Sequence, residues 1–286
     1  MNDNKCRYGN GRALRVTEMN NSQKSAIDIL KETSRTFFIP ISLLSPGLKE
    51  AVASAYLCMR AIDEIEDHPN LQPSVKNELL LSISQMLKKP FDEKKWNDLF
   101  EPYKGELPEV TLRLNDWIAY CPEGVLDQIL DATAEMAEGM AKWALKEWKI
   151  QSENDLDEYT YYVAGLVGVM LTDIWKWYDN TEADRDLAIA FGRGLQSVNI
   201  LRNISEDKTR GVNFFPENWK FDDMLQYAIR NLEQANRYVK GIDTKTILHF
   251  CQIPLTLAFG TLEALTTGKE KLSRADVTKM VSQIVG

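Results

Sequence analysis

Histidine and cysteine are scarce in this chain. Two histidines, His68 and His249, and four cysteines, Cys6, Cys58, Cys121 and Cys251, stand in 286 residues. The cysteines are scattered and form no CxxC pair, which argues against a Cys/His zinc centre and for reduced thiols in a cytoplasmic protein. Runs of lysine and arginine are also missing, and the formal net charge is −8. Nucleic-acid binders carry a basic face, so no nucleic-acid partner is expected. Alternating apolar and polar runs between Asn-Gly or Asp-Gly turns are nearly absent, and with them the signal for β-sheet. No GxGxxG follows a strand, no internal repeat recurs, and no Pro/Gly/Ser-rich linker divides the chain. The N-terminal stretch MNDNKCRYGNGRALR lacks the apolar core of a secretory signal. The longest apolar runs, such as VAGLVGVML, reach about half of the ~20 residues a membrane span needs, so no transmembrane segment is expected.

What is present is helical periodicity. Hydrophobic residues make up 44% and charged residues 27%, an ordinary globular balance, and a chain this long buries most of its surface without disulfides or a structural metal. SAIDILKETSRTFF opens the ordered part near residue 22, after a segment, 1–20, expected to be disordered. In SPGLKEAVASAYLCMRAIDEIED, Ser45 serves as N-cap and Pro46 as first helical residue, with a stop before Pro69. Further helices follow over PSVKNELLLSISQMLKK, near 92–103 and 106–120, and from Pro122. Ser152 caps one running to about Tyr178, and 182–208 form the next. FDDMLQYAIRNLEQANRYVKG, then KTILHFCQIPLTLAFGTLEAL with a break at Pro254, and SRADVTKMVSQIV complete the chain. The expectation is one all-α domain over 21–286.

The stretch MRAIDEIEDHP carries the first chemical signal. Asp63, Glu64, Glu66 and Asp67 crowd a predicted helix C-terminus, which already holds a partial negative charge. Asp63 and Asp67 continue a face running through Val52, Tyr56 and Met59 or Arg60, whereas Glu64 and Glu66 lie off that line. Buried carboxylates need a compensating positive charge. Two of them at i and i+4 suit a hard divalent cation such as Mg²⁺ beside substrate phosphates. The alternative is a solvated acidic helix end with ordinary salt bridges.

A second signal lies in LQSVNILRNISEDKTRGVNFFPENW. Asn199, Asn203 and Asp207 fall at i, i+4 and i+8, with Gln196 a turn earlier on the same side. Their oxygens are ligands Mg²⁺ accepts, and Lys208 and Arg210 are placed to hold diphosphate oxygens. The alternative is a polar helix end feeding a loop. Together the two ends suggest facing walls of a central apolar cavity in a helical bundle.

With these residues in place, the chain resembles the squalene/phytoene synthase family of head-to-head prenyl synthases, of the isoprenoid synthase fold. TSRTF, YLCMRAIDEIED, YTYYVAGLVGVML and QSVNILRNISED match its motifs in order, and FFPENW and FCQIPLTLAFGTL are closer to squalene than phytoene synthases. The resemblance implies a Mg²⁺-dependent coupling of two farnesyl diphosphates through presqualene diphosphate to squalene or a related C30 product, with NADPH for the reductive half. It implies Mg²⁺ on Asp63 and Asp67 and on Asn199, Asn203 and Asp207, and diphosphate contacts from Ser34, Arg35 and Arg60. It implies Tyr56 and Tyr162 near the reacting carbons, and Gly165 and Gly168 where the helix backbone nears substrate. An apolar tunnel of Phe37, Met140, Leu166, Val169 and Phe250 completes the set. Each of these has a plainer reading as core packing. The resemblance further suggests a cytoplasmic monomer, peripheral to a membrane that accepts its product.

Two positions depart from the family pattern. Asn203 replaces the first aspartate of the second motif, and Val212 stands where the family has an arginine. Three readings follow: a squalene-type synthase, a member with altered isoprenoid chemistry such as diphosphate hydrolysis, and a non-catalytic lipid-binding or interaction protein.

Overall fold

The computed structural model describes residues 16–286 except 35, 91 and 210. Among the described residues every regular element is helical and no strand occurs. The low β-propensity of the chain thus carries through to the structure. The helices divide into two compact units, one holding the described residues up to 38 and 46–145, the other 39–45 and 146–286.

The first unit holds α1 (Val16–Thr33) and, after α2 (Phe38–Ser42), α3 (Leu48–Glu66), α4 (Pro73–Leu87), α5 (Glu93–Phe100), α6 (Glu109–Leu112), α7 (Leu114–Tyr120) and α8 (Leu126–Leu145). Helix α3 is its centre and packs against α1, α4, α6, α7 and α8. Its small residues Ala51, Ala53, Ser54, Ala55 and Ala61 are all buried, which lets several helices approach at once. Neighbours also bond to it: Ser54 Oγ donates to the Trp117 carbonyl at 2.7 Å and Thr111 Oγ1 to the Ala61 carbonyl at 2.8 Å.

The start of α3 differs from expectation. Helix begins at Leu48, and the cap is Gly47 at φ +83°, not Ser45. Pro46–Gly47 makes a turn, the ordinary use of a proline followed by a glycine with positive φ. The Glu50 carboxylate accepts the Gly47 N–H at 2.5 Å and closes the first turn.

The second unit holds α9 (Glu153–Thr160), a π turn (Tyr161–Gly165), α10 (Leu166–Asp179), α11 (Arg185–Thr209), α12 (Phe221–Lys240), α13 (Lys245–Thr266) and α14 (Arg274–Val285). Ser152 caps α9 as expected, accepting from the Asp155 N–H while Asp155 accepts the Ser152 N–H at 3.0 Å. Helix α11 packs along α12, α10, α13 and the π turn. The contacts to α10 and to the π turn are backbone on backbone. A Cβ on Gly168 would sit 2.2 Å from the Ala188 carbonyl oxygen, and one on Gly192 would sit 2.1 Å from that of Ala164. Both glycines are therefore dictated by helix packing.

One further expectation changes in α13. The helix runs unbroken through Pro254, which is buried. Packing on α11 and α12 outweighs the donor that proline lacks. Among the described residues α13 is also the one helix long and apolar enough to cross a membrane, with 61% of the tested stretch buried. A buried core helix reaches the same length and apolar content, and here Thr, Gln, His and Gly interleave the apolar residues.

Candidate active site

In the first unit the site is built on the last two turns of α3. One oxygen each from Asp63, Glu66 and Asp67 lies within 4.8 Å of the others. The sequence line through Asp63 and Asp67 omitted Glu66, which the structure brings in. Residues three apart are helical neighbours as surely as residues four apart, and Asp63-x-x-Glu66 was the available signal. Asp67 is the C-cap, its N–H bonded to the Asp63 carbonyl at 2.8 Å. Glu66 is buried, Asp63 half-buried and Asp67 exposed, so the cluster grades from core to solvent.

Arg60 organises the inner side. Its Nη1 lies 2.6 Å from Asp63 Oδ2, and its Nε donates to Glu64 Oε1 at 2.9 Å. Glu64 thus pairs with arginine and stands outside the cluster. Burial, reinforced by the Asp67 carboxylate and opposed by Arg60, pushes the Asp63 pKa up to about 7. A carboxylate held in that state gains from a divalent cation, which favours its charged form. Three carboxylates that bring an oxygen each within 4.8 Å of the others could hold Mg²⁺, a hard cation that takes oxygen ligands.

Lys76 supplies a positive charge that the sequence left unidentified. It is buried on α4, and its Nζ donates to the Glu66 carbonyl at 2.6 Å. It occupies the apolar stripe of α4 with Leu79, Leu80, Ile83 and Leu87, all buried. A lysine within such a stripe was the sequence signal.

The other predicted residues of this unit surround α3. Tyr56 is half-buried and its hydroxyl donates to the Thr33 carbonyl at 2.9 Å. Its ring lies 6.4 Å from that of Phe37. Burial raises the Tyr56 pKa against the lowering effect of the nearby Ser34 hydroxyl. Ser34 is buried and accepts the Phe37 N–H at 2.8 Å. Met140 is fully buried in α8. Arg35 lies outside the described residues.

In the second unit Asn199, Asn203 and Asp207 follow one another along α11. Asp207 is buried, Asn199 and Asn203 half-buried. Asn203 Oδ1 accepts from Arg202 Nε at 3.2 Å, and Asn199 Nδ2 reaches Gln196 Oε1 at 3.4 Å. The helix ends at Thr209, with Gly211 at φ +74° and the Val212 N–H bonded back to the Asp207 carbonyl at 3.0 Å. Asp207 and Lys208 line a cavity of about 420 Å³ with Ile200, Ile204, Phe214, Phe215, Trp219 and Phe221. Val212 lines it as well, giving it an apolar wall. Arg210 lies outside the described residues.

Tyr162 sits in the π turn, edge-on to Tyr161 with ring centroids 5.3 Å apart. Such turns recur at functional positions. Gly165 is close-packed, since a Cβ there would lie 3.1 Å from Ile189 Cγ2. Leu166 and Val169 are buried in α10, and Phe250 stands edge-on to Trp175 at 5.4 Å.

This architecture has solved counterparts. A TcSQS structure with bound ligand matches at TM-score 0.75 and 22% identity, covering 92% of this chain and 86% of that one. A dehydrosqualene synthase in complex with ligand matches at TM-score 0.62 and 20% identity over 94% and 97%. The shared fold is that of helical squalene synthases. At the level of sequence, the squalene/phytoene synthase profile matches residues 30–220. Squalene synthase of Eremothecium gossypii is 30% identical over 89% of this chain, and that of Dictyostelium discoideum 30% over 83%. The chain covers 64% and 62% of those two relatives. It belongs to the squalene/phytoene synthase family.

Proposed function

We propose that this chain is a Mg²⁺-dependent prenyltransferase that couples two farnesyl diphosphates head to head, through presqualene diphosphate, to squalene or a related C30 isoprenoid. The observation that carries the reading is the gathering of Asp63, Glu66 and Asp67 at the end of α3. Family membership supplies the reaction class. Bound there, Mg²⁺ would neutralise a departing diphosphate and orient it.

The chain's own residues do the rest. Asp63, Glu66 and Asp67 supply the oxygens for the cation. Arg60 restrains Asp63 and offers a guanidinium to diphosphate. Tyr56 presents an anchored phenol, its proton directed to the Thr33 carbonyl. In the second unit Asn199, Asn203 and Asp207 add oxygen donors. The neighbouring cavity joins an ammonium, Lys208, to an apolar wall, which suits an anionic head with a hydrocarbon tail.

Incubation with farnesyl diphosphate and Mg²⁺, with and without NADPH, followed by product analysis, tests the reading. A C30 hydrocarbon or presqualene diphosphate is the expected product, with Asp67→Ala lowering kcat/KM by about a thousandfold. Farnesol alone, or no turnover, would overturn it.

One observation favours a second reading. The sole side-chain oxygen of Asn203 is engaged by Arg202, in a motif that has lost one carboxylate. A second cluster weakened in this way fits altered chemistry, with release of diphosphate and no C30 product.

A further inference from the structure

The segment joining α3 to α4 begins at His68, directly after Asp67. The His68 Nδ1 accepts two backbone N–H groups, from Asn70 at 3.3 Å and Leu71 at 3.2 Å. Two donors aimed at one ring nitrogen require a lone pair there, so Nδ1 is unprotonated and the hydrogen sits on Nε2. That nitrogen faces the Glu106 carbonyl at 3.3 Å and donates to it. The ring therefore does two things. It closes the turn after α3, as an Asn or Asp side chain does when it accepts from N–H groups two and three residues on. It also ties that turn to the segment before α6.

Besides the ring, the His68 N–H bonds back to the Ile65 carbonyl at 3.4 Å. Pro69 contributes no donor, and Asn70 is exposed, while Leu71 is buried and anchors the far end. Asp67, the exposed member of the carboxylate cluster, directly precedes this turn and is tied to α3 through its N–H to the Asp63 carbonyl at 2.8 Å.

The geometry points to His68 as a positioning residue for the cation site: its neutral imidazole clips residues 68–71 and so holds the Asp67 carboxylate within reach of Asp63 and Glu66. This rests on the assignment of a divalent cation to those carboxylates. Outer groups that orient metal ligands typically change affinity by about 10–100-fold when removed. The role is one of acceptor geometry, so asparagine, whose Oδ1 falls near the place of Nδ1, should substitute where alanine cannot.

The test is Mn²⁺ binding followed by electron paramagnetic resonance on the full chain as wild type, Asp63→Asn, His68→Ala and His68→Asn. Asp63→Asn is expected to lose bound Mn²⁺. His68→Ala is expected to bind about tenfold more weakly with its circular dichroism unchanged. His68→Asn should stay within about twofold of wild type, since it keeps the acceptor. In turnover, His68→Ala should raise the KM for Mg²⁺ and leave kcat at saturating Mg²⁺ near wild type. Wild-type affinity in His68→Ala, or equal losses in the two His68 variants, would overturn the inference while leaving the metal site intact. Binding in the wild type that Asp63→Asn does not reduce would remove the metal assignment itself, and this inference with it.

Discussion

The Nζ of Lys76 donates to the backbone carbonyl of Glu66 at 2.6 Å, and both residues are buried. An ammonium from α4 thus meets the negative pole of α3 beside three carboxylates. Helix α3 can end in acid because α4 ends that acid's isolation.

Replacing Lys76 by Met removes this charge and leaves the chain length of the side chain nearly unchanged. The unfolding free energy should fall by about 2–3 kcal/mol, the value of a hydrogen bond to a charged group in a buried setting. Urea denaturation at neutral pH measures it. Lys95→Met, on the exposed side of α5, is the control and should be near neutral. Equal midpoints for the two variants would refute the role of Lys76.

Asp63 makes stability depend on pH. Burial and the Asp67 carboxylate raise its pKa from 3.8 to about 7, so between those values the folded protein binds more protons than the unfolded chain. Stability from this group is therefore greatest at the acid end and is lost as pH rises through the window. Without divalent cations, Asp63→Asn should melt about 2–4 °C above wild type at pH 8, and the gap should close towards pH 4. Scanning calorimetry across that range decides it, and a gap widening towards acid would contradict the assignment.

Gly168, between α10 and α11, should differ from Gly260 on α13. A methyl group at Gly168 meets the Ala188 backbone, whereas one at Gly260 meets the flexible end of Met280. Gly168→Ala is expected to cost about 1–3 kcal/mol or more, and Gly260→Ala less than about 1 kcal/mol. Similar melting temperatures for the pair would show that α10 and α11 separate more easily than their contact implies.

Asn203→Asp restores a carboxylate to the second cluster and gives Arg202 an ionic partner. Half-maximal activity should then require several-fold less Mg²⁺, since added carboxylate charge strengthens hard-cation binding. An unchanged Mg²⁺ titration would exclude residue 203 as a ligand.

Much of this was legible from residue patterns. The all-helical class followed from periodicity, and the Ser152 cap from a serine followed three residues later by an acid. The acidic end of α3 was visible as a cluster, but its membership was not. Helix α3 is buried on almost every side, so an apolar stripe cannot say which acid turns inward, and Glu66 was passed over. The roles of Gly165 and Gly168 were balanced between substrate and packing, because the sequence of α10 does not contain α11; the Ala188 contact supplies what was missing. Gly47 took the cap from Ser45 because a Pro-Gly turn intervenes, which helix-start preferences alone do not weigh.

The π turn at Tyr161–Gly165 has a consequence for anyone editing this chain. It holds one residue more than an α-helical path would, so α9 and α10 are out of phase by about 100°. Removing a single residue there would straighten the path and swing α9 around its axis. Asp157 would then leave the Tyr227 hydroxyl that donates to it at 2.5 Å, while Gly168 kept its seat on Ala188. A one-residue deletion would thus act as a rotation, remaking one flank of the unit and sparing the other.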